Sequence, residues 1–504
     1  MPGFKCDVVV VGCGHAGLEA AAAAAAGGGR VLAVSGGDVG KLACNPAFGG
    51  AAKSHLMCEL ACLGGKTPAA VDASAAHADV LSPNRGRAAR ALRLQVDSQL
   101  FKLATASATA GVSKLKPEAL SVSWRQQRVH VALADGSWIQ ASALVIATGT
   151  FSRGVCHVGE CTLALGKIGA SRADCLTSAL RQHGVKTRRF KTGTPPWVLK
   201  QSVRWRSAIS LQSSSFRYCF GSRSRAAFPS LCCKTMHTRK PTSTVIASCT
   251  RWASPQAGKL LGRGPTRCTS IESRIASAGA RPQRLIMEAE GVAKQGVYLN
   301  GAFTSLPVEA QALALKTVGA LTTAQFTKVG YAVEYDVVCS NQLSRALELA
   351  RSAGVFVAGQ LAGSTGYEEA CVQGWVAGVN AARRCQNMPL IALSFTASFA
   401  GLLTFKMTQH ALKAPYSMAC ESVPNRARLK QRNASLRLLA SALAANTLLA
   451  LRAAKRLEWA NVVKLAACAL AGSKLVKLTP AAIALAGKRW LRLAAAIKAR
   501  CELL

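Results

Sequence analysis

The chain has 504 residues, half of them apolar and 17% charged, which excludes a disordered polymer and is too long for one ordinary core. Lysine and arginine number 63 against 23 acidic residues, a formal charge of +40 that favours a polyanionic partner such as nucleic acid. Compositional bias, with arginine and alanine spread throughout, accounts for the same surplus without a partner. The 19 cysteines show no CxxC pair and no paired zinc spacing, so reduced thiols in the cytoplasm and no metal site are expected.

Taken in order, Asp7 to Val11 is a β-branched run of the kind buried on both faces of a sheet, and it leaves no room for a signal peptide. Gly12 to Gly17 turns the chain. Leu18 to Ala26 reads as an alanine-rich helix ended by Gly27 to Gly29, and Arg30 to Ser35 as a second strand. Ala143 to Gly149 is another buried strand ending in a tight turn. The stretch from about Gln201 to Arg284 reads as irregular. Val355 to Gln360 repeats the strand pattern and leads through Gly363, Thr365 and Gly366 into a helix, Tyr367 to Ala382. Two strands of one sheet so far apart imply an insertion between them. From about Thr396 the pattern is helical throughout. Its longest uncharged apolar stretch, Leu438 to Leu451, has 14 residues, too few to cross a bilayer, so no membrane segment is expected. There is no internal repeat.

The first βαβ unit carries the chemistry most clearly. Gly12 permits the turn, Gly14 lets backbone amides approach a diphosphate and Gly17 lets helix pack on strand, with Cys13, His15 and Ala16 between them. Ser35 stands where an acid would hold the ribose hydroxyls, so the turn alone leaves the nucleotide open. Gly359 and Gln360 read either as a second anchor, whose following helix directs its dipole at a reduced flavin, or as a structural αβ turn. Cys44, before a Pro/Gly-rich turn and near Lys53 and His55, reads either as an activated thiolate or as a structural cysteine. The basic stretch of Arg85, Gly86, Arg90, Arg93, Gln95 and Asp97 is open between a nucleic-acid phosphate contact, a cofactor diphosphate and a solvated face.

Seven motifs occur in order: residues 12–21, 44–50, 147–151, 191–196, 264–272, 330–336 and 363–370. Their series resembles the MnmG (GidA) family, FAD-dependent enzymes that modify the tRNA wobble uridine. The resemblance spans residues 5–200 and 262–385, is patchy between and poor after about 400. It implies an α/β, Rossmann-type two-dinucleotide-binding flavoprotein fold with an inserted α/β domain and a shortened helical C-terminal domain. By residue number it divides the chain into an FAD-binding domain in two segments (1–200 and 330–395), an inserted NAD-associated domain (201–329) and a basic helical domain for tRNA or partner binding (396–504).

For function the resemblance implies addition of a carboxymethylaminomethyl group to carbon-5 of the wobble uridine of certain tRNAs. NADH, a methylene-tetrahydrofolate one-carbon donor, glycine and a GTPase partner, MnmE, take part. A homodimer within a heterotetramer is implied, in the cytoplasm. FAD would meet Gly12, Cys13, Gly14, His15, Ala16, Gly17, Gly359 and Gln360. Gly264, Pro265, Arg267, Ser270 and Glu272 fall in the NADH-associated stretch. Cys44 and Cys268 match the two cysteines proposed as catalytic or structurally critical; a thiolate adding to carbon-6 of uracil makes carbon-5 nucleophilic toward an iminium carbon.

The chain departs from the family pattern at several places. The family's Gly-Lys-Gly-His is Ala52-Lys53-Ser54-His55, and a Lys-Gly-Pro is Arg85-Gly86-Arg87. Ser273 replaces a carboxylate in the NADH-associated run, and Thr404-Phe405-Lys406 replaces an acidic pair. Two rival readings are a folate- and FAD-dependent tRNA uridine methyltransferase of the TrmFO type and a decayed tRNA-binding flavoprotein without turnover.

Overall fold

The computed structural model describes residues 3–421 apart from 38, 85–89, 117, 126–127, 212–218, 222–232, 238–244, 247–248, 250–261, 266–268, 279–281 and 292. The expected helical C-terminal segment from 422 onward, with Leu438 to Leu451, lies outside the described residues, as do Arg85 to Arg87, Arg267 and Cys268.

Strand β1 (Val8–Val11) is buried along its whole length. It starts one residue later than the β-branched run because the Asp7 carboxylate accepts from the Arg30 amide at 2.8 Å and the Arg30 guanidinium at 3.1 Å. Helix α1 (His15–Ala26) starts three residues ahead of Leu18, since Gly14 is extended and serves as its N-cap. Strand β2 (Val31–Val34) follows, then helix α2 (Lys53–Cys62), strand β3 (Ala91–Val96), helix α3 (Ser98–Ala108), strand β4 (Ser113–Leu115) and strand β5 (Ala143–Ile146). The central sheet is parallel, in the order Val355–Val357, β5, β1, β2, β4. Each fully buried valine in it contributes about 1.5–3 kcal/mol of burial, and the covered faces explain the unbroken apolar runs.

Between the two halves of that sheet the chain builds others. Strand β6 (Thr187–Thr194) and strand β7 (Trp197–Leu199) precede helix α4 (Ile271–Ala278) and strands β8 (Arg284–Ala289) and β9 (Gly296–Asn300). Strands β7, β8 and β9 lie in a six-stranded antiparallel sheet with Ile209–Ser210, Cys233–His237 and Phe326–Lys328. The stretch from Gln201 to Arg284 is therefore not simply irregular: it supplies two strands and α4, whose short apolar runs are too brief to show a period. This sheet has its own core, with Val198, Ile271, Leu285, Met287, Val297 and Leu299 at its centre. Alternation along β9 then turns Tyr298 and Asn300 to the opposite face.

Strand β10 (Tyr331–Val338) pairs antiparallel with β6 from Thr187↔Val338 to Thr194↔Tyr331, and the chain re-enters the central sheet at β11 (Val355–Val357). Helix α5 (Tyr367–Cys385) packs on α1, and α6 (Phe399–Thr408) follows. The segment after Thr396 is not helical throughout. Around Tyr416 it is pinned as an extended loop, its amide donating to the Gly363 carbonyl at 2.9 Å and its carbonyl accepting from Thr365 at 2.8 Å.

Candidate functional site

The turn between β1 and α1 is built from three glycines with different tasks. Gly12 has φ +104°, and a Cβ there would stand against the Ala147 carbonyl at the end of β5. A Cβ on Gly17 would collide with the Gly12 carbonyl oxygen. A Cβ on Gly14 would meet nothing within 4 Å. That open cradle lies at an N-terminus with no side-chain cap, where unpaired amides and the helix dipole favour an anion. These residues fit a dinucleotide diphosphate. Cys13 is buried, and burial pushes its thiol up to about 11, so it stands there protonated.

The second anchor meets the first. Gly359, with φ +74°, stands at the end of β11, and a Cβ on it would come 3.1 Å from the Ala16 Cβ. Its amide donates to buried Gln373 at 2.6 Å, which holds the turn in place. The side chain of Gln360 faces Gly149, at the end of β5. The residues expected at FAD are thus gathered at the carboxyl ends of three adjacent parallel strands, where such sheets bind ligands. The first turn of α5 does not present a bare dipole: it carries its own carboxylates, Glu368 and Glu369.

Three consecutive residues of α5 fix the loop bearing Cys44. The Cys44 amide donates to the Tyr367 hydroxyl at 2.5 Å, and the Gly49 amide donates to Glu368 at 2.6 Å. Lys53 donates to Glu368 at 3.1 Å and to Glu369 at 2.8 Å. Burial opposes the Lys53 charge, but the two carboxylates outweigh it and hold its pKa above the usual lysine value. Ala52, where the family has glycine, takes φ +60°, a conformation costing a non-glycine residue roughly 1 kcal/mol.

His15 joins the two parts. Its ring lies 4.4 Å from Tyr367 and 5.5 Å from Phe48, centroid to centroid. Burial pushes the imidazole down to about 4 against the opposing charge of Glu368, and Nε2 has no hydrogen-bond partner among the described residues. From the other side Tyr298 of β9, fully buried, places its hydroxyl 3.1 Å from the Cys44 sulfur.

Among the described residues, those expected at NADH have contacts apart from that cluster. A Cβ on Gly264 would press on the Lys191 side chain, and Pro265 is buried. Ser270 and Ser273 share a hydrogen bond of 2.8 Å at the start of α4. Glu272 is fully buried and accepts from the Ser305 amide at 3.1 Å and hydroxyl at 3.3 Å. Arg93, Gln95 and Asp97 are engaged internally, not held open for phosphate. Arg93 pairs with buried Glu288 at 2.6 Å, Gln95 donates to the Ala289 carbonyl at 2.8 Å, and Asp97 caps α3. Sequence reasoning passed over Tyr298, Tyr367 and Gln373. For Tyr298 the signal was its place in Val297-Tyr298-Leu299-Asn300, a polar residue opposite two apolar ones.

A family model described as Glucose inhibited division protein A matches residues 7–389. The chain belongs to that family. The MnmG of Granulibacter bethesdensis, named as a tRNA uridine 5-carboxymethylaminomethyl modification enzyme, is 36% identical over 443 residues, covering 86% of this chain and 70% of its own length. Its namesake from Chlamydia felis is 34% identical over 442 residues, covering 86% and 72%. Two solved structures of Aquifex aeolicus GidA share 29% identity and superpose with TM-scores of 0.81 and 0.80, covering 88% of this chain and 76% and 74% of theirs. The GidA fold is thus a Rossmann-type α/β fold with an inserted antiparallel α/β unit. Among the described residues, no helix is long and apolar enough to cross a membrane.

Proposed function

We propose that this GidA-family chain is an FAD-dependent tRNA modification enzyme that installs a carboxymethylaminomethyl group on carbon-5 of the wobble uridine. The observation that carries this reading is the agreement of relatives bearing that activity in their name over 86% of the chain. The cradle at Gly14 and the N-terminus of α1 support it, since they suit a dinucleotide diphosphate. When bound, the flavin supplies redox chemistry, and NADH is the reductant in this reading.

The chain's own residues then divide the work. Gly12 to Gly17, Gly359 and Gln360 hold FAD. Gly264, Pro265, Arg267, Ser270 and Glu272 serve the NADH-associated site, with Glu272 shaping it through Ser305. Cys44 or Cys268, as a thiolate, would add to carbon-6 of uracil and make carbon-5 nucleophilic toward the methylene carbon of the folate donor, whose bond to the folate nitrogen breaks; loss of the carbon-5 proton then expels the thiolate and restores the ring. Glycine supplies the amine. Residues 1–200 and 330–395 form the FAD-binding domain, 201–329 the inserted domain and 396–504 the tRNA- and partner-binding domain. The basic charge of the chain suits the tRNA backbone. The enzyme works in the cytoplasm as a homodimer with the GTPase MnmE.

Reconstitution tests this directly. The purified chain with MnmE, FAD, NADH, the folate donor, glycine, GTP and unmodified tRNA yields the carboxymethylaminomethyl nucleoside. Yellow protein that NADH does not bleach anaerobically, with tRNA left unmodified, would sink the reading.

A further inference from the structure

The Cys44 thiol lies between two elements that reach it from opposite sides. Tyr367 of α5 accepts from the Cys44 backbone amide at 2.5 Å and so fixes the backbone, while Tyr298 of β9 contacts the sulfur at 3.1 Å. Burial pushes the Tyr367 phenol well above its usual value, so it remains neutral. Tyr298 is held as firmly. Its ring lies edge-on to Trp197, 5.2 Å between centroids, and it stands opposite Glu288 and Trp197 in the ladder. On the same face, Glu288 pairs with Arg93 at 2.6 Å and accepts from Asn300 at 3.0 Å. Two side chains of that face therefore contact the FAD-binding half, one through an ion pair and one through a thiol.

We propose that Tyr298 is the positioning residue of Cys44, its hydroxyl donating a hydrogen bond to the thiolate and so coupling the inserted sheet to the reactive sulfur. This rests on reading Cys44 as a reactive cysteine. A hydrogen bond either stabilises the ionised sulfur, with the phenol as donor, or the neutral thiol, with the phenol oxygen as acceptor. The two arrangements shift the thiol's ionisation in opposite directions. Because a phenol gives up its proton less readily than a thiol, the donor arrangement is the one available when the sulfur is ionised. It also aims the sulfur's charge at a fixed point.

The test is the pH profile of Cys44 alkylation by iodoacetamide on the full chain, read by mass spectrometry of the Cys44 peptide so that the other 18 cysteines do not interfere (19 in all less Cys44). Tyr298→Phe removes one oxygen and keeps the packing against Trp197. It should slow alkylation at pH 7 about tenfold and move the profile up by about one pH unit, the size of one charge-assisted hydrogen bond. Installing 3-fluorotyrosine at 298, a stronger donor of nearly the same shape, should move it down, and this second arm stands if the phenylalanine variant does not fold. A profile unmoved by either change, or moved down by Tyr298→Phe, overturns the proposal. The outcome is separate from that of the catalytic reading: if Cys44→Ser leaves tRNA modification intact, Cys44 loses its catalytic role while the alkylation profile still decides what Tyr298 does.

Discussion

Gly374 of α5 stands directly against Ala16 of α1, and a Cβ at 374 would collide with the Ala16 carbonyl oxygen; Gly378 stands in the same relation to Ala20 one turn on. The two helices therefore touch backbone to backbone beside the turn that begins α1. Gly374→Val should force them apart at a cost of about 1–3 kcal/mol for overpacking, with the Gly12–Gly17 turn displaced. Thermal unfolding of the apo protein measures this; an unchanged midpoint contradicts it.

Gly14→Val should behave in the opposite way. The added Cβ meets nothing within 4 Å and the position is exposed, so the fold should keep its stability to within about 0.5 kcal/mol, as surface substitutions do. It occupies the cradle assigned to the diphosphate, so the purified variant should carry no flavin. A yellow variant with normal FAD content would remove Gly14 from the cofactor site.

The His15 imidazole makes apo-protein stability depend on pH. An unfolded histidine takes its proton near 6.5, whereas burial delays that step to about 4 in the folded chain. Between those values the unfolded state binds more protons, so stability falls as pH drops, by roughly 3 kcal/mol across the window. His15→Phe keeps the packing against Phe48 and Tyr367 and should flatten that fall. Urea midpoints at pH 7 and pH 4.5 measure it, and an equally steep fall in the variant would assign the effect elsewhere.

The seat at Gly12 to Gly17 was legible in the sequence because its physics is local. A strand, three glycines and a helix follow one another, and each glycine's role depends on neighbours a few residues away. The partners of Cys44 were not legible, since Tyr298 and Tyr367 lie more than 250 residues from it in sequence. The basic stretch misled for the same reason: Arg93 reads as a surface charge until Glu288, from a distant strand, is placed 2.6 Å away. The departure at Ala52 shows in sequence only as a replaced glycine; its consequence, a non-glycine residue in a left-handed backbone, shows only in the structure.

Cys44→Ser and Cys268→Ser should each spare FAD binding, since neither lies in the glycine turn, while the one that supplies the nucleophile loses modification. Flavin content and product formation, measured on the same preparations, separate the two. A variant that remains fully active removes its cysteine from the chemistry.

The most direct test of the account is nucleoside mass spectrometry of tRNA from the source cell, with and without this gene. The carboxymethylaminomethyl uridine, or a nucleoside derived from it, should occupy the wobble position only when the gene is present. A plain methyl-uridine outside the anticodon that depends on the gene, or tRNA unchanged by its loss, would contradict the account.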